Sequence, residues 1–186
     1  MAVTINASTS AGLVQSADTT GNLNIQSNGT TKLAVTSTGA AVAGTNTNDS
    51  AAAGYVGEYV SASVAYSSPV SLVTGTPKTI TSISLTAGDW DVTGMWGMTG
   101  GASTTVLYGI GTISTTNNGV GSDQTLWSAY TVAAATTIYA STDPRMALIP
   151  QRVSIASTTT IYLVVYSGFN VSTNNAYGRL DARRVR

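Results

Sequence analysis

Apolar residues in this chain recur mainly at every second position, in short runs that end at Gly, Pro, Asn, Asp or Ser. Alternation with that period is the mark of a strand with one face in a core, and the turn-forming residues between runs are its punctuation. The pattern predicts strands over 57–64, 78–85, 89–98, 104–114, 151–155, 158–166 and 176–185, with weaker ones over 69–73, 125–132 and 136–139. Nothing in the order of runs resembles strand–helix–strand units. So many short strands in 55–186 predict an all-β domain, an antiparallel β-sandwich or jelly roll.

The alternation also assigns faces. From Trp90, the residues Trp90, Val92, Gly94, Trp96 and Met98 share one side, and Asp91, Thr93, Met95 and Gly97 the other. Trp90, Val92 and Trp96 are therefore core residues, and Ile161, Leu163, Val165 and Leu180 join them by the same parity. The run around Ile161 differs, because its second face, Tyr162, Val164 and Tyr166, is apolar too. In one sandwich an outer face meets water, so this face calls for a subunit interface, a covering loop or an aromatic rim. Along the last run, Ala176, Gly178, Leu180 and Ala182 form a small inner face opposite Tyr177, Arg179, Asp181 and Arg183. Tyr162, Val164, Tyr166, Arg179 and Arg183 are the residues expected at a subunit interface.

The segment 1–36 reads as a short N-terminal arm. Leu23-Asn24-Ile25 and Leu33-Ala34-Val35 flank Asn28-Gly29, a hairpin signal. A two-residue loop sets Ile25 opposite Lys32; a three-residue loop of Asn28, Gly29 and Thr30 sets Ile25 opposite Leu33 and Leu23 opposite Val35, and the second register is favoured. A lone hairpin is marginal in water. Leu23, Ile25, Leu33 and Val35 are thus expected to anchor the arm on a partner, either its own trimer mates or another protein. Small and turn-forming residues fill 37–54, which reads as a linker before the jelly-roll domain 55–186.

Charged residues make up only 9% of the chain, which leaves little to dress exposed helices. Hydrophobic residues reach 42%, but the longest strongly apolar run, 161–166, falls far short of the ~20 residues that span a bilayer, so no membrane is expected. The opening residues lack the basic leader and apolar stretch of a secretion signal. Charge is lopsided: residues 1–142 hold six acids and two lysines, and 143–186 hold six arginines against two aspartates. With a pI near 6.0 and no recognition-helix pattern, the arginines are expected to pair with carboxylates at a subunit contact rather than to bind nucleic acid.

The chain has neither histidine nor cysteine. That removes Ser-His-Asp triads, Cys-His dyads, disulfides and zinc sites, and the expectation is no enzyme, no metal and no cofactor. Of the remaining carboxylates only Asp89 and Asp91 are close in sequence, and they read as turn and surface residues rather than a pair facing across a sugar. The Gly-rich pieces at 97–101 and 109–111 lack the Lys-Ser/Thr and helix start of a phosphate loop. Four Asn-X-Ser/Thr sequons are expected by chance in so Ser- and Thr-rich a chain. Trp127, Tyr130, Tyr139 and Phe169 are candidates for a sugar platform, with core and trimer contact the favoured role.

Three stretches carry a resemblance: Ala51-Ala52-Ala53-Gly54-Tyr55-Val56-Gly57-Glu58-Tyr59-Val60, Thr81-Ser82-Ile83-Ser84-Leu85-Thr86-Ala87-Gly88-Asp89-Trp90-Asp91-Val92, and Tyr177-Gly178-Arg179-Leu180-Asp181-Ala182-Arg183-Arg184-Val185-Arg186. They resemble tailed-phage and prophage virion proteins described as tail-fibre-like or head-decoration proteins, and the opening from Gly12-Leu13-Val14-Gln15 to Lys32-Leu33 is similar to segments that begin phage trimers. The resemblance implies a homotrimer with a jelly-roll head like those of tumour necrosis factor and C1q, no catalytic residues, and a place on the virion surface after assembly in the host bacterial cytoplasm. An arm of 36 residues reaches at most about 120 Å, too short for a long fibre. A capsid decoration or cement protein bound to the major capsid protein or another virion protein is the expectation. The alternative is a tail or baseplate fibre or spike head that binds host glycan.

Overall fold

The computed structural model describes residues 23–36, 38–44, 47–137 and 143–186. They belong to two compact units divided between Asp49 and Ser50. No α-helix occurs among the described residues.

The first unit holds β1 (Leu23–Ser27), β2 (Thr30–Thr36) and β3 (Gly39–Val42), an antiparallel sheet in that order. β3 lies within the stretch read as a linker. Its residues are too small to signal a strand, but they pair with the free edge of β2, Leu33 opposite Val42 and Val35 opposite Ala40.

The second unit is a sandwich of two antiparallel sheets. One contains β4 (Tyr59–Val64), β7 (Gly88–Gly100), β10 (Arg145–Ala147) and β13 (Asn174–Arg184) in the order β10-β7-β13-β4, with β11 (Gln151–Ile155) also on β7 and the short β5 (Val70–Ser71) also on β13. The other has the order β6-β12-β8-β9, from β6 (Lys78–Leu85), β8 (Thr105–Ser114), β9 (Ser128–Thr137) and β12 (Thr159–Asn170). The chain crosses from sheet to sheet at six of the nine connections between β4 and β13, the jelly-roll way of closing a sandwich without parallel neighbours.

Between the sheets lies one hydrophobic core. The seven residues assigned to it from the alternation, Trp90, Val92, Trp96, Ile161, Leu163, Val165 and Leu180, have no exposed surface. Both buried indoles are satisfied, as a buried N–H must be: Trp90 Nε1 donates to the Thr86 carbonyl at 3.0 Å, and Trp96 Nε1 to Ser128 Oγ at 3.2 Å. Ser128 donates onward to the Ala147 carbonyl at 2.5 Å, tying one sheet to the other. In this unit β10 is the strand that the alternation does not signal. It has three residues, and it forms because the long β7 offers Gly97, Trp96 and Met95 as partners.

The base of the sandwich, where the chain enters β4 and leaves β13, is held by ions. Arg184 is buried and donates to Glu58 at 2.9 Å and to the Ala87 carbonyl at 2.8 Å, with its guanidinium 4.3 Å from the centre of the Trp90 ring. Asp89 is 3% exposed and accepts from Arg152 at 2.7 Å and from Arg186. The hydrogen bond from Arg152, helped by that from Ser154, brings the Asp89 carboxyl down to about 2. A carboxyl whose folded pKa lies below its unfolded value stabilises fully above the unfolded value, about 4, and loses that contribution as pH falls towards about 2. Urea melts across this window are expected to show stability falling with acid, and Asp89→Asn to flatten the slope; an unchanged slope would remove Asp89 from the base.

Candidate functional site

The three-stranded sheet presents its apolar side chains together. Asn28 and Gly29 have φ of 49° and 73°, so they form a two-residue turn with both central residues left-handed, the hairpin turn that Asn-Gly favours. Such a turn alone would place Ile25 opposite Lys32. Instead the register shifts by one residue between Ile25 and Gln26, leaving Lys32 as the extra residue of a β-bulge, and the pairs become Ile25–Leu33 and Leu23–Val35. The pairs are those of the favoured register, and the turn is the shorter one.

Directly opposed residues point to the same face of a sheet. Leu23, Ile25, Leu33, Val35, Ala40 and Val42 therefore share one face, with Asn24, Ala34 and Ala41 behind it. Lys32, at the bulge, is the one charged residue in these strands. Exposure is 44% at Leu23, 51% at Ile25, 39% at Val35 and 79% at Val42. The sheet is too small to hide so open an apolar face by curling.

The sandwich has two outer faces, and the residues expected at a subunit interface divide between them. Arg179 and Arg183 lie outside β13. Arg179 pairs with Asp181 at 2.7 Å, and Asp181 accepts from the Tyr59 hydroxyl at 2.5 Å, a bond that pushes the Tyr59 pKa up. Alongside, Arg145 donates to the Tyr177 hydroxyl at 2.9 Å, and Tyr177 meets Tyr66 edge to face at 5.2 Å. Tyr162 and Tyr166 lie on the opposite side of the sandwich, outside β12. There Tyr166 packs on Tyr108 at 5.4 Å, and their hydrogen bond pushes Tyr108 up to about 12.

Val164 is a correction. It is fully buried within the chain and has no surface to offer a subunit. The loop between β8 and β9 is fastened to both of its strand neighbours: Asn118 and Asn117 accept from Thr79 N and Oγ1 at 2.7 Å each, and Thr112 Oγ1 donates to the Leu126 carbonyl at 3.5 Å. Thr79 and Thr112 are the partners of Val164 on its two neighbouring strands, so the loop is tied down on both sides of it. The aromatic candidates are also mostly inside: Phe169 belongs to the core, Tyr130 packs against it, and the half-buried Trp127 donates to the Val120 carbonyl at 2.9 Å. Tyr139 lies outside the described residues. Asp89 is engaged in the base, while Asp91 is exposed on the outer face of β7.

The Glu58–Arg184 pair was not singled out from the sequence, although a signal existed. Continuing the small inner face of the last strand from Ala182 by two residues lands on Arg184, so parity alone puts a guanidinium inside.

No protein-family model matches the chain, and no curated protein matches it either. Among solved structures it is similar to that of the infectious bursal disease virus Gx strain, with 15% identity over 69% of this chain and a TM-score of 0.41. The chain spans 32% of that structure's chain, and a likeness this distant carries nothing about function.

Proposed function

We propose that this is a structural virion protein that acts by binding rather than by catalysis: a homotrimeric capsid decoration or cement protein of a tailed phage. Its N-terminal sheet docks on the major capsid protein or another virion protein at the virion surface, after assembly in the host bacterial cytoplasm. The observation that carries the proposal is the open, charge-free face of Leu23, Ile25, Leu33, Val35, Ala40 and Val42. Two features of the sandwich support self-association. A closed ring of three needs two different patches on each subunit, and the Arg/Tyr face outside β13 and the Tyr face outside β12 are two such patches on opposite sheets. Tyr and Arg are also the side chains that interfaces favour.

The test is co-sedimentation of the whole chain with expanded capsids, with native mass spectrometry for copy number. The wild type is expected to bind as a trimer. Ile25→Asp with Val35→Asp is expected to weaken binding by at least about a hundredfold, because each buried side chain of this size is worth about 1.5–3 kcal/mol, while the melting of the sandwich is unchanged. A stable monomer with no affinity for any virion part would overturn the reading, as would binding that survives the double substitution.

A further inference from the structure

A cavity of ≈ 290 Å³ opens between the two sheets beneath the β8–β9 loop. Its floor is apolar and comes from both sheets: Ile113 and Ile161 from one, Val153 from the other. Its polar lining carries no cation. Ser122, Asp123 and Gln151 supply a hydroxyl, a carboxylate and a carboxamide, further hydroxyls come from neighbouring Ser and Thr, and no Lys or Arg lines it.

Three of these groups have unused bonding capacity. Asp123 Oδ1 accepts from Thr125 N at 3.0 Å and from Thr125 Oγ1 at 2.6 Å, which fixes the carboxylate, and its other oxygen has no partner among the described residues. Ser122 has none either. Gln151 is the most telling: it sits on an inward position of β11 opposite Val92, and its Nε2 is buried with no partner among the described residues. A buried NH₂ left unpaired is costly, about 1–3 kcal/mol, and a native structure that keeps one invites an explanation. The last torsion of a glutamine is broad, so this donor can turn to an acceptor in the cavity without any backbone movement.

We propose that this cavity binds one neutral N-acetylated hexosamine unit of a polysaccharide, with the acetamido group inward and the ring hydroxyls at the Ser122–Asp123 rim. The acetyl methyl meets the Ile113–Val153–Ile161 floor, the acetamido oxygen accepts from Gln151 Nε2, and vicinal hydroxyls donate to the free oxygen of Asp123. A plain hexose has nothing for the floor. Sugars bearing a carboxylate, sulfate or phosphate meet a carboxylate with no cation beside it, which disfavours them by like-charge repulsion. An acetylated lysine of a protein partner could offer the same amide, but it would leave the hydroxyl-lined rim unused, so a sugar is favoured. The site belongs to the sandwich unit alone and does not depend on attachment to a capsid.

The experiment uses the full chain in solution, with saturation-transfer NMR and calorimetric titration of the methyl glycosides of N-acetylglucosamine and N-acetylgalactosamine. Glucose and sialic acid methyl glycosides and an acetyl-lysine peptide are titrated beside them. At least one N-acetylhexosamine is expected to bind saturably with its methyl protons most strongly saturated, and glucose and sialic acid at least about tenfold more weakly. Asp123→Asn, at an exposed position, is expected to lower affinity about tenfold with unchanged melting, the loss typical of one hydrogen bond to a charged group. Gln151→Leu is expected to abolish the methyl saturation. Absence of saturable binding by either hexosamine overturns the proposal. So does tighter binding of sialic acid or of the acetyl-lysine peptide, or affinity indifferent to Asp123→Asn. None of these outcomes bears on whether the chain binds capsids, so the two readings fail separately.

Discussion

Arg184→Met is expected to lower the stability of the sandwich by about 3–5 kcal/mol, the usual cost of removing one partner of a buried ion pair. The side chains of Arg184 and Glu58 are 5% and 11% exposed, so water cannot take the place of the lost partner. The Glu58 carboxyl is held below its usual range first by the Gly54 N–H, which donates at 2.8 Å, and then by Arg184, against the cost of burial. With Arg184 gone, an ionised Glu58 keeps the burial cost and loses its cation. Four separate pieces of chain come apart at once: the entry at Gly54–Glu58, the turn at Thr86–Ala87, the ring of Trp90 and the end of β13. Calorimetry should show the melting of the sandwich falling by roughly 10–20 °C, taking a few degrees per kcal/mol for a unit of this size. The companion Glu58→Leu/Arg184→Met double variant should lose much less than the sum of the two singles, since apolar replacement of both ions removes the desolvation problem. Strict additivity, or a melting point within a few degrees of wild type for Arg184→Met, would show that the base is held by something else.

Gly94→Ala is the second substitution with a large expected effect. Gly94 sits mid-strand in β7, opposite Leu180 of β13, at the centre of its sheet. A Cβ there would lie 2.1 Å from the Arg179 carbonyl oxygen and 3.0 Å from its carbon. A flexible side chain could swing aside, but a backbone carbonyl locked in the middle of the sheet cannot. The strands must separate, and the loss should reach about 3 kcal/mol or more, at the upper end for overpacking. Gly44→Ala, where nothing lies within 4 Å and φ is not positive, is the matched control and should melt like the wild type. The expected readout is a sharp fall in soluble yield and melting temperature for Gly94→Ala alone; equal behaviour of the two variants would refute the close approach of β7 and β13.

Much of the architecture could be read locally because a strand's face is a local property. Period-two spacing placed Trp90, Val92, Trp96 and Leu180 on inner faces without reference to any partner, and 78–85 and 151–155 have the bounds of β6 and β11. Where bulk was missing the reading failed: Gly39–Val42 and Arg145–Ala147 have too little alternation to announce themselves, and each is a strand only because a longer neighbour offers an edge. The hairpin falls between these cases. Its apolar pairs followed from the wish of Leu and Ile to face Val and Leu, yet the bulge at Lys32, not a longer loop, delivers them.

The candidate sites were less visible. The apolar residues of the arm could be named, but their shared face needed β3 and the bulge. The cavity could not be foreseen at all, since Ile113, Asp123, Gln151 and Ile161 come from separate stretches brought together by the jelly-roll crossings. Val164 shows the same limit from the other side: its own run declares that something must cover it, and only the folded chain shows that it is fully buried without a partner subunit.

From the order of residues alone came the all-β class, the inner face of the strands around Trp90, Ile161 and Leu180, and the want of imidazole and thiol, because all of these depend on side-chain identity and near-neighbour spacing. Which sheet each strand joins, whether Val164 is buried within the chain, and which carboxylate meets Arg184 from 126 residues away were decided in three dimensions. Those choices rest on contacts between distant segments, whose energy depends on how the whole core packs and leaves no trace in local periodicity.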